Sequence, residues 1–188
     1  MSLLKAIKAQ LGLSNTPANN FTITAEADNG SLKVARRNAG ATTQDILTVD
    51  ANGRVAMPNN VVAFKAYATG ATSITSSANK IALAGKHFDT TNAFDSVTNY
   101  RFTPTVAGYY QINGWVSSVT GSYQILPYLY KNGSAYVEGN SPSTGNRATV
   151  QDIVYMNGTT DYIELYCYSG TTQNTAGAAL SGILIAKA

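Results

Sequence analysis

The fold class this sequence predicts is all-β, built mainly as an antiparallel jelly-roll sandwich, and three observations predict it. From Val61 onward apolar and polar residues alternate in run after run, separated by Gly, Asn, Ser and Thr clusters, with no helical period. Only 12% of residues are Asp, Glu, Lys or Arg, whereas Tyr (12) and Gly (16) are abundant, which suits strands with uncharged surfaces. The 44% apolar content of 188 residues is enough for a real core in one domain plus a small appendage.

Residues 1–19 read as an N-terminal amphipathic helix and linker. Leu4, Ile7 and Leu11, with Leu3, fall at helical spacing, and Lys5, Lys8 and Gln10 fall largely on the other side. Gly12 and Ser14-Asn15-Thr16-Pro17 supply the stop. A helix of about three turns is marginal alone, so its stripe needs its own copies, a docking surface on something larger, or its own domain. Lys5 and Lys8 interrupt the apolar run and no cleavage-like site follows, so no secretory route is expected. Nothing approaches the roughly 20 apolar residues of a membrane span.

Residues 20–59 read as a β-hairpin stalk. Short alternating runs (Phe21, Ile23, Ala25; Leu32, Val34; Ile46, Val49; Val55, Met57) surround two Asn-Gly turns, Asp28-Asn29-Gly30 and Asp50-Ala51-Asn52-Gly53. Two hairpins bury too little to stand alone and need neighbours.

Residues 60–188 form the head. Candidate strands run over 63–68, 80–83, 100–103, 109–117, 122–130, 135–138, 148–156, 161–168 and 178–186, a number that suits a two-sheet jelly roll.

Four strings then carry a resemblance: Ala63-Phe64-Lys65-Ala66; Phe102-Thr103-Pro104-Thr105-Val106-Ala107-Gly108-Tyr109-Tyr110-Gln111-Ile112; Leu129-Tyr130-Lys131-Asn132-Gly133; and Leu180-Ser181-Gly182-Ile183-Leu184-Ile185. In that order they resemble the globular head of complement C-one-q and the tumour necrosis factor superfamily, over roughly Val61 to Ala188. The resemblance implies a ten-stranded jelly roll that forms a compact homotrimer and binds through loops and outer faces. The sequence departs from it in having no collagen-like repeat before the head. The stretch holding Gly40-Ala41-Thr42-Thr43 and Val49-Asp50-Ala51-Asn52-Gly53 is similar instead to the shafts of bacteriophage tail-fibre and virion-appendage proteins.

Strand alternation assigns the faces. Tyr110, Ile112, Gly114 and Val116 share one side, and Tyr109, Gln111, Asn113 and Trp115 the other. Phe64, Phe102, Gly108, Tyr110, Ile112, Ile163 and Leu165 are the expected head core, with Cys167 beside them as a buried, inert thiol. Opposite Ile163, Leu165 and Cys167 lie Tyr162, Glu164, Tyr166 and Tyr168. Each aromatic can bury on the order of 150–250 Å², so these are candidates for a trimer interface, with scattered surface tyrosines and a ligand-binding stripe as the other readings. Tyr136, Tyr123 and Tyr128 are candidate receptor contacts, because a flat amphipathic ring suits stacking on a sugar.

Several chemistries are not expected. The net charge of +3 comes from 13 dispersed bases with no stripe for a phosphate backbone, so no nucleic-acid partner is expected. One histidine, His87, and no Gly-x-Ser-x-Gly elbow leave neither a multi-histidine metal site nor a serine triad. Asp89 with Asp95, or Asp161 with Glu164, could be proposed as glycosidase pairs, as could pairs in any protein with ten acids. No cofactor, metal or calcium loop is expected. The functional expectation is a non-enzymatic homotrimeric virion surface protein of a bacteriophage, assembled in the host cytoplasm. Residues 1–59, through Leu4, Ile7 and Leu11, would contact other virion proteins, and the head would bind the bacterial surface, with a glycan as candidate partner, or stabilise the capsid. A small polysaccharide depolymerase and a free bacterial surface lectin are the rival readings.

Overall fold

In a computed structural model the described residues are 6–11, 21–26, 31–37, 43–56, 61–121, 123–141 and 146–188. The chain divides into two units, Met1–Val61 and Val62–Ala188.

The first unit holds β1 (Ala6–Leu11), β2 (Phe21–Glu26), β3 (Ser31–Arg37), β4 (Thr43–Val49) and β5 (Val55–Ala56), paired antiparallel in that order as one five-stranded sheet. This corrects the expected helix: Ala6–Leu11 is a strand, with Ile7, Ala9 and Leu11 in register with Ala25, Ile23 and Phe21. Ile7 and Leu11 stand four apart, which fits either period, and Ala9 between Lys8 and Gln10 completes a two-residue alternation. Six residues are too few to hold a helix unaided, whereas pairing with β2 gives the backbone groups on one edge of the segment their partners. Leu4, Gly12 and the turn at 28–30 lie outside the described residues. The turn at Asp50 is built by its own side chain, whose Oδ1 accepts hydrogen bonds from Asn52 N and Arg54 N, each at 2.9 Å.

The second unit contains β6 (Ala63–Tyr67), β7 (Ser73–Ile74), β8 (Asn79–Lys80), β9 (Gly85–Asp89), β10 (Phe94–Asp95), β11 (Arg101–Phe102), β12 (Gly108–Ser118), β13 (Ile125–Lys131), β14 (Ser134–Glu138), β15 (Arg147–Met156), β16 (Ile163–Ser169) and β17 (Gln173–Lys187). They make two six-stranded sheets. One runs β15-β12-β17-β6-β9 with β7 on β17; the other runs β10-β11-β16-β13-β14 with β8 on β16. The implied strand count of ten is exceeded because β7, β8, β10 and β11 are two-residue pieces that pair at the rims.

The core lies between the sheets and takes the predicted side of each strand. Phe64, Phe102, Tyr110, Ile112, Ile163 and Leu165 are all buried, as are Cys167 and Gly108. Phe64 stacks on Phe102 at 4.1 Å between ring centroids and on Phe94 at 5.2 Å, and Tyr110 meets the edge of Phe102 at 5.6 Å. Room for the Phe64 ring comes from its cross-strand partner, Gly182, where a Cβ would stand 2.7 Å from Phe64 Cε1 and 2.6 Å from Ile112 Cδ1. The Tyr110 hydroxyl donates to Val106 O at 2.7 Å, and burial pushes its pKa up to about 12.

Candidate functional site

Each sheet has one face on the core and one outward, and the two outward faces differ in chemistry. On the β15-β12-β17-β6-β9 sheet, Tyr155 of β15 lies opposite Tyr109 of β12 with ring centroids 5.5 Å apart. In the next row Gln111 stands between Ile153 and Ile183, its partners on either side. Ile185 follows on β17, beside a bulge at Tyr109/Tyr110. Tyr109, Ile153, Tyr155, Ile183 and Ile185 remain 41–51% exposed. Together they present about 450 Å² of largely apolar surface, within the range of about 300–600 Å² in which a protein's largest patch is often functional. They lie at the end where the chain enters the head, since Leu184 N donates to Val62 O at 2.9 Å.

The far half of the same face is polar. Asn113, Gln151, Thr149, Ser181 and Lys65 line a shallow depression of about 280 Å³ beside Trp115. The Arg147 guanidinium sits 4.2 Å from the Trp115 ring centroid.

The opposite sheet's outward face holds the predicted trimer-interface residues. Register pairs Glu164 with Tyr130 and Arg101, and Tyr166 with Tyr128 and Lys80. Tyr166 stacks on Tyr130 at 3.9 Å, Tyr130 meets Tyr128 edge-on at 6.3 Å, and Arg101 lies 4.3 Å from the Tyr162 ring centroid. Glu164 is buried at 2% exposure and pairs with Lys80 Nζ at 2.5 Å. Tyr162, Tyr166 and Tyr168 are half-buried. Their cover comes from β8, β11 and β13 of the same chain, so this tyrosine face is already partnered internally. Burial, then the Glu164 charge, raises the Tyr166 pKa; burial, then the Glu138 charge and hydrogen bond, raises that of Tyr128.

Of the candidate receptor contacts, Tyr128 belongs to this row. Tyr136 is exposed on β14, with Lys131 Nζ 6.0 Å from its ring centroid, and Tyr123 is exposed in the loop leading into β13. The three do not form one cluster.

The proposed carboxylate pairs are occupied in the fold itself. Asp89 accepts from Ala93 N and Phe94 N, and Asp95 caps a turn by accepting from Val97 N, Thr98 N and Asn99 N, which holds its carboxyl well below the usual range. Asp161 accepts from Asn132 Nδ2 at 2.8 Å and pairs with Lys131 Nζ at 3.0 Å; the amide first and then the ammonium lower its pKa. His87 is exposed and stacks on Tyr67 at 4.4 Å. Among the described residues no group of three or more His, Cys, Asp or Glu side chains gathers as metal ligands.

Sequence reasoning put Tyr109, Gln111, Asn113 and Trp115 on an outward face but missed the apolar patch that Tyr109 helps to build. Ile153, Tyr155, Ile183 and Ile185 come from strands far apart in sequence, and in each strand they look like ordinary alternation.

No protein-family model matches the chain, and no curated protein matches it. Solved structures do. Eiger TNF from S. frugiperda is similar at 8% identity, covering 68% of this chain and 94% of that one, with a TM-score of 0.54. Murine APRIL is similar at 10% identity, over 67% and 100% of the two chains, with a TM-score of 0.53. The PRD1 vertex protein P5 is similar at 16% identity, over 66% and 96%, with a TM-score of 0.51. By fold, then, the head is a jelly roll of the tumour necrosis factor type.

Proposed function

We propose that this chain is a non-enzymatic virion surface protein of a bacteriophage, a homotrimer whose N-terminal unit attaches it to the particle and whose jelly-roll head is presented outward. The observation that carries the trimer is the exposed patch of Tyr109, Ile153, Tyr155, Ile183 and Ile185. An unpaired apolar sheet face beside a partnered one is what a subunit contact requires. This moves the expected contact from β16 to the β15-β12-β17 face. The likeness of the head to a vertex protein, and that of residues 40–53 to virion-appendage shafts, support a place on a particle. The head then binds the bacterial surface or reinforces the capsid. Antibodies against the chain, gold-labelled on purified particles, test the reading: label at vertices or on the tail supports it, and particles that carry none of the protein overturn it.

A further inference from the structure

The tyrosine face of β16 and β13 has no role in the trimer just described, and its chemistry is that of a ligand surface. Tyr128, Tyr130 and Tyr166 form a continuous row, Tyr162 extends it beneath Arg101, and all four keep part of their surface open. Among the described residues of β13 and β16, the one large aliphatic side chain on this face, Leu126, is buried at 9% exposure. The charged groups of this face are held in place: Glu164 neutralises Lys80 at 2.5 Å, Glu138 hydrogen-bonds the Tyr128 phenol, and the Arg101 guanidinium lies over the Tyr162 ring.

We propose that this outer wall, centred on Tyr130 and Tyr166 and bordered by the Lys80–Glu164 pair, binds a neutral glycan. A protein partner gains most from burying aliphatic and aromatic side chains in a desolvated core, and the Ile-rich face on the other sheet offers that while this one does not. An anionic chain would find Lys80 already neutralised by Glu164, and the wall carries the Glu138 carboxylate besides. A pyranose matches the wall in both respects. Its C–H face packs against ring carbons, and its uncharged hydroxyls accept from the Lys80 ammonium and the phenols and donate to the exposed Glu138 carboxylate. The assignment deepens the proposed function by naming what the presented head holds, but the geometry behind it belongs to a single subunit.

The test is affinity electrophoresis of the full chain through gels containing dextran, mannan or galactan, with alginate as the anionic comparison. At least one neutral polysaccharide retards the protein and alginate does not. Tyr166→Ala and Tyr128→Ala each weaken that retardation about tenfold, with circular dichroism and solution mass unchanged. Tyr128 meets Tyr130 only edge-on and its other partner is the exposed Glu138, so its variant reads the site even if Tyr166→Ala fails to fold. Retardation by alginate alone overturns the neutral class, and retardation that both variants keep in full puts the site elsewhere. No retardation by any of the three neutral polymers overturns the proposal in favour of a protein occupant. None of these failures alters the solution mass or the particle labelling, so they stand apart from failure of the trimeric virion reading.

Discussion

Replacing Ile183 by Glu places a carboxylate in the middle of the exposed apolar patch, on the strand at the centre of its sheet. Ile183 keeps 44% of its surface exposed in the isolated chain, which is roughly 80 Å² or, at about 25 cal/mol per Å², about 2 kcal/mol per copy if a neighbour covers it. Three copies lose about 6 kcal/mol per trimer, equivalent to about 10⁴-fold in the assembly constant, before the cost of desolvating three carboxylates is added. The substitution leaves the core untouched, because the neighbours Gly182 and Leu184 carry the inward contacts. Thermal unfolding followed over a hundredfold range of protein concentration separates the two effects. The parent's midpoint rises with concentration, as mass action demands of an oligomer. That of Ile183→Glu is lower and flat. A variant with the same midpoint and the same concentration dependence as the parent refutes the assignment of this face to the subunit contact.

Three further outcomes follow from the head's interior. Gly182→Ala inserts a methyl group 2.6 Å from Ile112 Cδ1 and 2.7 Å from Phe64 Cε1, and overpacking of this kind lowers stability in a denaturant titration by about 1–3 kcal/mol. Asp161→Asn removes a carboxylate whose pKa the Asn132 amide and the Lys131 ammonium hold below its ordinary 3.8. A depressed pKa stabilises the fold above that ordinary value and is lost as pH falls through the lower folded one, so the parent melts above the variant at pH 7 and the gap closes in strong acid; a gap that widens in acid contradicts the pairing. Cys167 is fully buried with its thiol pKa pushed up to about 12 by burial, so a disulfide reagent at pH 8 leaves the folded protein unlabelled and reacts with one thiol per chain after denaturation.

The head was legible from alternation because both sheets of a sandwich impose a period of two. Phe64, Tyr110, Ile112, Ile163 and Leu165 fall inward where that period puts them. The helix read over Leu4, Ile7 and Leu11 failed because, within the strand, Ile7 and Leu11 stand four apart and fit both periods, and only the backbone partner offered by β2 decides between them. The tyrosine face of β16 was read correctly as outward, but its covering partners Tyr130, Lys80 and Arg101 lie 34 or more residues away in the chain and are brought in by pairing with β13, β8 and β11. The apolar patch was hidden for the complementary reason. It takes one or two residues from each of three strands, and its existence depends on the order β15-β12-β17, a long-range property that local spacing does not record.

Carboxylates show the same limit. Asp89, Asp95 and Asp161 occur at spacings that permit acid–base pairs, yet each is consumed in ordering a turn or holding a neighbouring loop. The turn at Asn132-Gly133 illustrates how local that construction is. Both residues take positive φ, 53° and 80°, as a tight hairpin between β13 and β14 requires. Asn132 also accepts from Tyr162 N and donates to Asp161, tying the hairpin to the start of β16.

The trimer built on the β15-β12-β17 face is the claim on which the rest depends, and the solution mass of the unmodified full chain tests it most directly. Light scattering coupled to size exclusion is expected to give three times the 19.8 kDa of one chain. A folded species that stays at the mass of a single chain at every concentration contradicts it.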